Sequence, residues 1–455
     1  MSDTLIASVS GVRGLVGKDL TPEFVSKYAA AFGMIARQGG GKTVVVGRDA
    51  RTSGPMFLAA VTAGLQSVGI DVIDCGLIPT PTAQLAVEFH GAAGGIVITA
   101  SHNPVEWNAL KFVGPDGLFL DKEMASRLFE IVAANEMERS GWDALGGASI
   151  DDFAVERHLE DVLGLELVDV DAIRAKKFTV ALDCVRGAGG VIMPTLLDRL
   201  GCRVVGRDLE TDGCFTRPPE PVPTNLAALG DLVRNSNADL GVAVDPDVDR
   251  LALVDGSGRP IGEDYTLAFA VEAVLRQRQG PVVVNLSTSL VVDDVAREFG
   301  VSVERAPVGE ANVARAMQKA SAVVGGEGNG GVMLPDLHVG RDAPVGTILI
   351  LDLLARGGHS VADLVAARPR YAIVKAKTGR GGELDSVYAA LESRFAGAAI
   401  DRQDGLRLGW ADSWLHVRPS GTEPIVRLIA EAPTEESAQE LVATAREAMD
   451  SAGTD

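Results

Sequence analysis

Basic residues are in short supply: 42 lysines and arginines stand against 62 aspartates and glutamates, a formal net charge of −20. A surface of that sign repels nucleic-acid backbones and anionic lipid headgroups, so any phosphate-bearing ligand must be met by a local cluster of Arg and Lys. Neither a nucleic acid nor a membrane is expected as a partner. Cysteine is scarcer still. Cys75, Cys184, Cys202 and Cys214 are too few for a disulfide scaffold and lack the paired spacing of a zinc site, which leaves reduced, mostly buried thiols. No apolar run approaches roughly 18 residues, and the opening MSDTLIASVSGVRG has neither the basic region nor the apolar core of a signal sequence. The expected compartment is the cytoplasm.

What is present is enough apolar material for several cores: 455 residues, 46% hydrophobic, imply about three or four domains. One unit recurs three times, as an apolar strand, a Gly/Asp-rich loop, a helix, a glycine and a second apolar strand. The copies begin with the strands at 44–46, 178–182 and 281–285, and their glycines are Gly69, Gly201 and Gly300. Each copy is followed by a further strand that ends abruptly in a polar loop: GIVITASHNP, LGVAVDPDVDR and AVVGGEGNG. Short Val/Ile-rich strands alternating with helices predict α/β domains with mostly parallel, mixed sheets, whose ligands gather beyond the strand C-terminal ends. Three such domains offering one loop each would enclose a central cleft.

From Tyr371 onward the pattern changes to a smaller α+β domain. It reads as a strand YAIVKAK, a helix near 383–395, strands near 406–409 and 414–417, the loop RPSGTEP, a strand IVRLIAEA and a final helix. Thr434 is the expected cap of that helix, and Ala438, Leu441, Val442, Ala445 and Met449 form its buried stripe. The expected domains are 1–150, 151–255, 256–368 and 369–455, with 141–147 and 368–370 as connectors.

Four loops carry the chemistry. TASHNP at 99–104 exposes the Ser101 hydroxyl at the end of a strand, available for phosphorylation or nucleophilic attack, although the tetrapeptide SHNP within it also serves as an ordinary turn. His102 beside it invites a serine-hydrolase reading, but neighbours on a turn rarely aim at each other and no G-x-S-x-G elbow surrounds the serine. In DPDVDR, Asp245, Asp247 and Asp249 alternate after a buried strand; extended geometry puts them on one face, where a hard divalent cation such as Mg²⁺ relieves their repulsion. An acidic surface turn and an aspartyl-phosphatase nucleophile at Asp245 are the competing readings, the second weakened by Asp249 at the fifth position. GEGNGG offers Glu327 and Asn329 for sugar hydroxyls or an amine. RPSGTEP joins Arg418 to Ser420, Gly421 and Thr422 in a phosphate-binding combination that Arg427 extends.

With all four loops in this order, the chain resembles the α-D-phosphohexomutase family over essentially its full length. The resemblance implies a phosphoserine at Ser101, one Mg²⁺ held by Asp245, Asp247, Asp249 and the phosphoryl oxygen on Ser101, sugar contacts from Glu327 and Asn329, and a phosphate clamp at Arg418, Ser420, Gly421 and Thr422. SGVRG at 10–14 resembles the family's G-x-x-G-x-R-G start, with serine at position 8 in place of the first glycine, and would bring Arg13 to the reacting phosphate. Lys111 matches the family's acid/base lysine, with a pKa lowered beside the neutralised phosphate, and Arg250 would lie beside it. PVGE at 307–310 resembles a further sugar loop containing Gly309. Hexose 1,6-bisphosphate is the implied intermediate and activator, a small sugar phosphate the implied partner, and a monomer or homodimer the implied assembly. Many bacterial glucose and mannose mutases carry a serine and then a histidine in the sugar loop; Asn329 and Gly331 stand there instead, which leaves Lys111 as principal acid/base group with His338 as a second candidate. The E-x-N-G form resembles amino-sugar mutases, including archaeal-type phosphoglucosamine mutases, so glucosamine phosphate leads glucose and mannose phosphates. An aspartyl-type phosphatase and a non-catalytic sugar-phosphate sensor are the remaining alternatives.

Overall fold

The structure, a computed structural model, describes residues 4–9, 11–379, 384–420 and 425–452. In the first unit Thr43–Arg48 is the central strand; Asp71–Leu77 and Gly95–Ile98 lie parallel on its two sides, and Trp107–Val113 runs antiparallel beyond Gly95–Ile98. The second unit repeats this order around Thr179–Asp183, with Arg203–Arg207 and Leu240–Val244 parallel to it and Leu251–Asp255 antiparallel at the edge. In the third, Val282–Asn285 lies between Val303–Ala306 and Val324–Glu327, with Gly331–Met333 antiparallel. One strand order used three times is the repeat that the sequence predicts. The helix in each copy stops at its glycine: Gly69, Gly201 and Gly300 have φ of +79°, +70° and +71°, the left-handed conformation that ends a helix without a side-chain clash.

The first sheet is longer than the repeat requires. Ile6–Ser8 and Gly11–Leu15 join it beyond Trp107–Val113, and Ala148–Ile150 pairs with Asp71–Leu77, for seven strands. Alternation along the strands serves both faces: Val44, Val46, Ile96 and Ile98 pack in one core and Val45, Val97 and Val113 in another. The second and third units share a single core that runs from Leu159 to Val365, which fixes their loops relative to one another.

The C-terminal unit is an antiparallel sheet in the order Ala372–Gly379, Ile425–Ala432, Trp414–Pro419, Leu406–Gly409, Ala399–Asp401. Helices Leu384–Arg394 and Glu435–Ala452 cover the face that carries Leu415, Val417, Val426 and Leu428. Thr434 Oγ1 accepts the Ser437 N–H at 3.2 Å as the expected cap, and Ala438, Val442, Ala445 and Met449 are buried. The other face docks on the third unit. There His416 Nδ1 meets Ser287 Oγ at 2.8 Å, Arg407 Nε donates to the Leu286 carbonyl at 2.9 Å, and the Leu290 N–H donates to Glu431 Oε2 at 2.8 Å. Cys75, Cys184 and Cys202 are buried free thiols and Cys214 is exposed. Among the described residues no helix is long and apolar enough to cross a membrane.

Candidate active site

The polar loops lie at the C-terminal ends of equivalent strands. Ser101 follows Gly95–Ile98, Asp245 follows Leu240–Val244, and Glu327 is the last residue of Val324–Glu327. Ser101 sits in the left-handed region, φ +48°, and is buried; its Oγ donates to Asp245 Oδ2 at 2.8 Å. That conformation is uncommon outside glycine and is held by the surroundings. Arg51, wholly buried, donates to the carbonyls of Ser101 and Asn103 through Nη2, both at 2.7 Å, and of Pro104 and Trp107 through Nη1, at 2.7 and 2.9 Å. Asp49 pairs with Arg51 Nε at 3.1 Å and accepts Thr99 Oγ1 at 2.6 Å; Thr99 Oγ1 in turn accepts the Ser101 N–H at 2.9 Å.

One oxygen from each of Asp245, Asp247 and Asp249 lies within 4.8 Å of the others, and all three residues are fully buried. Asp247 Oδ2 accepts Thr80 Oγ1 at 2.6 Å and Lys111 Nζ at 2.7 Å. Asp249 Oδ2 accepts Arg341 Nη2 at 2.6 Å, with Lys111 Nζ 3.5 Å away. Burial and the charges of Asp249 and Asp247 push Asp245 well above the carboxylate range. Burial pushes Asp247 the same way, but Lys111 and hydrogen bonds from Asp245, Lys111 and Thr80 hold it below. Oδ1 of Asp247 and Oδ1 of Asp249 are buried without a hydrogen-bond partner. Unpaired hard oxygens beside a serine hydroxyl are a donor set that fits Mg²⁺.

The catalytic candidates fall around this cluster with two differences from expectation. Lys111, opposite Val97 in the sheet, was expected to have a lowered pKa; burial does lower it, but Asp247 and Asp249 outweigh burial and the net direction is upward. His102 Nδ1 lies 3.3 Å from Ser101 Oγ, so the neighbours do meet, because the left-handed Ser101 turns the two side chains together. Arg250, burial and Arg13 push that histidine well below its ordinary pKa and keep it neutral. Arg250 pairs with Glu220 at 3.0 Å and stands 3.8 Å from Oδ1 of Asp249, the carboxylate whose Oδ2 lies 3.5 Å from Lys111 Nζ. Arg13 donates to Asn103 Oδ1 at 3.2 Å from the strand next to that of Lys111.

The sugar loop differs more. Glu327 is buried, with Oε1 accepting Asn285 Nδ2 and the Gly309 N–H, both at 2.9 Å, and Oε2 accepting Arg341 Nη1 at 2.9 Å and Asn329 Nδ2 at a long 3.5 Å. Little acceptor capacity is left. His338 is also buried, its Nε2 3.0 Å from Asp342 Oδ2, an atom that His158 Nε2 approaches at 2.8 Å; it belongs to this inter-unit cluster and not to the serine. A Cβ on Gly331 would come within 2.2 Å of Arg341 Cδ, so the arginine stem fills the space of a side chain there.

In the C-terminal unit Arg418 Nε lies 2.8 Å from Asp404 Oδ2, which also accepts the Val308 N–H at 3.2 Å. Arg418 and Arg427 are directly opposite on paired strands, with Lys377 opposite Arg427 on the next. The Ser420 N–H donates to the Ile425 carbonyl at 2.8 Å; Ser10, Gly421 and Thr422 lie outside the described residues. Contacts therefore run unbroken from Arg418 through Asp404, the 308–309 backbone, Glu327, Arg341 and Asp249 to Lys111, Asp247, Asp245 and Ser101.

Four models of the phosphoglucomutase/phosphomannomutase family match in sequence: α/β/α domain I over residues 5–139, domain II over 156–258, domain III over 262–371 and the C-terminal domain over 372–448. The chain belongs to this family. Its members are phosphohexomutases, enzymes that transfer phosphate within a sugar. A phosphoglucomutase/phosphomannomutase of Thermococcus kodakarensis is 39% identical over 94% of this chain and 95% of its own length. A protein named as a probable phosphoglucosamine mutase of Methanopyrus kandleri is 39% identical over 95% of each. Among solved structures, a phosphoglucomutase/phosphomannomutase family protein of Burkholderia thailandensis superposes with a TM-score of 0.86 at 26% identity, over 98% of this chain and 97% of that one.

For this phosphohexomutase, sequence reasoning missed Arg51, Asp49, Thr80, Asn285 and Arg341, none of which lies in the four loops. One signal was available: VGRDA occurs at 46–50 and again at 339–343, and contains Asp49 in the first copy and Arg341 in the second.

Proposed function

We propose that the protein interconverts hexose 6-phosphate and hexose 1-phosphate through a phosphoserine at Ser101 and a hexose 1,6-bisphosphate, with glucosamine phosphate as the preferred substrate. The observation that carries this reading is the Ser101 hydroxyl, 2.8 Å from Asp245 on a turn locked by Arg51. Asp245, Asp247 and Asp249 would hold Mg²⁺, which when bound supplies positive charge to the transferring phosphoryl group. Lys111, an ammonium in this setting, protonates Ser101 Oγ as its bond to phosphorus breaks and recovers a proton from the attacking sugar hydroxyl, so the transfer is proton-neutral overall. Arg13 and Arg250 balance charge on the phosphoryl oxygens, and His102, held neutral, keeps its Nδ1 3.3 Å from the serine Oγ. Glu327, Asn329 and Gly309 face the sugar; Arg418, Ser420, Gly421, Thr422 and Arg427 hold the phosphate that is not reacting.

The bisphosphate must reverse within the cleft so that its other phosphate returns to Ser101. An aspartyl nucleophile is disfavoured, because Asp245 accepts the serine proton on Oδ2 and the Asp249 and Arg250 N–H groups on Oδ1, at 3.2 Å each. The glucosamine preference is supported by relatives bearing that name and by the E-x-N-G loop. Glucose or mannose phosphate is the second reading, favoured by the Thermococcus relative and by the nearly filled acceptors of Glu327. The deciding test is kcat/KM on the three sugar phosphates: a glucosamine preference of about tenfold, some 1.4 kcal/mol of transition-state discrimination, supports the first, and the reverse order supports the second.

A further inference from the structure

Arg341 is buried, and its guanidinium is divided among three carboxylates from three separate elements. Nε donates to Glu310 Oε2 at 2.9 Å, Nη1 to Glu327 Oε2 at 2.9 Å, and Nη2 to Asp249 Oδ2 at 2.6 Å. Glu310 opens the helix Glu310–Ala320 and also accepts Gln84 Nε2 at 3.2 Å, which brings in the first unit. The guanidinium is a rigid planar fork, so the three carboxylates it holds are fixed relative to one another. An ammonium in its place would have neither the reach nor the planarity.

Two consequences follow at the site. With Oδ2 of Asp249 committed to Arg341, the Asp249 oxygen left without a hydrogen-bond partner is the buried Oδ1. With Oε2 of Glu327 committed to the same arginine, the sugar-loop carboxylate is locked at a set distance from the metal loop. The stem that makes this possible passes through the volume a residue-331 side chain would need, since a Cβ there meets Arg341 Cδ at 2.2 Å and Cγ at 2.8 Å. Glycine at 331 and arginine at 341 form one device.

We propose that Arg341 is a positioning residue that fastens the sugar-reading loop to the metal-binding loop, and that Gly331 is small in order to admit it. The sugar half of this inference rests on the mutase reading; the metal half does not.

The test is Mn²⁺ binding followed by EPR on the full-length protein without substrate, alongside kcat and KM for the preferred sugar phosphate, for Arg341→Met, Arg341→Lys, Arg341→Ala, Gly331→Ala and the Arg341→Ala/Gly331→Ala double variant. Partners that orient metal ligands change affinity by about 10- to 100-fold when lost, so Arg341→Met is expected to weaken Mn²⁺ binding by at least tenfold and to raise KM. Arg341→Lys is expected to recover part of the Mn²⁺ affinity, through one restored bond to Asp249, while KM stays raised. Gly331→Ala removes no polar group yet is expected to weaken both readouts several-fold by displacing the stem. Added to Arg341→Ala it is expected to cost nothing further, the non-additivity of a shared contact. Mn²⁺ affinity within twofold of wild type in Arg341→Met, or a Gly331→Ala effect that adds fully to Arg341→Ala, would overturn the proposal. If Arg341→Met does not fold, Gly331→Ala and Arg341→Lys decide between the same two outcomes: weakened Mn²⁺ binding supports the link, and affinity within twofold of wild type in both overturns it. Weakened Mn²⁺ binding in a protein with no mutase activity would sink the functional reading and leave the link between the loops standing.

Discussion

Replacing Arg51 by methionine keeps the buried stem and deletes the head group, which isolates what the guanidinium does. Four carbonyls, of Ser101, Asn103, Pro104 and Trp107, lose their donor, and Asp49 loses its counter-charge. Each buried carbonyl without a partner costs about 1–3 kcal/mol, and a buried carboxylate left unpaired about 3–5 kcal/mol. Only the bond to the Ser101 carbonyl is buried, the other three being part-buried and open to water, so the low end is about 4 kcal/mol from that carbonyl and Asp49 together. That approaches the entire stability of an ordinary domain, about 5–15 kcal/mol. The protein will not sustain such a loss in place. Residues 99–107 will instead open to water, and Ser101 will leave its left-handed conformation. Hydrogen exchange is expected to show lost protection across 99–107 with the strands Thr43–Arg48 and Asp71–Leu77 still protected. Turnover is expected to fall by about 100-fold or more, the penalty for misplacing a reacting group by an ångström or so. Arg51→Lys, with one donor head in place of a fork, should fall between. Methionine variants that keep loop protection and turn over within threefold of wild type would refute the reasoning.

Other expectations concern the fourth unit and the metal. His416 is fully buried at the Ser287 contact, and burial pulls its pKa down to about 4. A histidine depressed in the folded state binds fewer protons there than when unfolded, so stability is complete above the unfolded pKa of about 6.5 and falls by about 3 kcal/mol as pH drops towards 4. Thermal melts at pH 7.5, 6 and 5 should show that loss in wild type and a flatter profile in His416→Gln. Arg418→Ala removes a charge-assisted contact worth about 1.5–3 kcal/mol, so KM for the sugar phosphate should rise by about 10- to 100-fold with a smaller change in kcat. EDTA should abolish turnover and Mg²⁺ restore it in wild type, with no restoration in Asp247→Asn; turnover that survives chelation would exclude the metal reading. His338→Gln should lower the melting temperature and leave kcat/KM within a few-fold, because His338 bonds Asp342 and not the serine.

The fold was legible where burial leaves a mark on composition. Strands such as Leu240–Val244 and Val282–Asn285 are buried on both faces and read as continuous apolar runs, and their loops begin where the run breaks. The short strands Ala148–Ile150 and Ala399–Asp401 left no such mark, being three residues long and largely exposed at sheet edges. Ser101, the three aspartates and Arg418 were visible because each lies in a compact loop with distinctive neighbours. Arg51 and Arg341 were not, because their work is set by contacts between separate loops, Arg51 with Ser101 50 positions away and Arg341 with Asp249 92 positions away. The direction of the Lys111 shift was missed for a related reason: the family resemblance placed the lysine near a neutralised phosphate, and only the packing of the first unit on the second puts it against Asp247.

The central claim is that Ser101 carries the transferable phosphate. Incubating wild type, Ser101→Ala and Asp245→Asn with hexose 1,6-bisphosphate and Mg²⁺, then locating the added phosphate by peptide mass spectrometry while following mutase turnover, tests it directly. The account predicts one phosphate on Ser101 in wild type, and neither label nor turnover in Ser101→Ala. Label on Asp245 that persists in Ser101→Ala, with turnover retained, would contradict it.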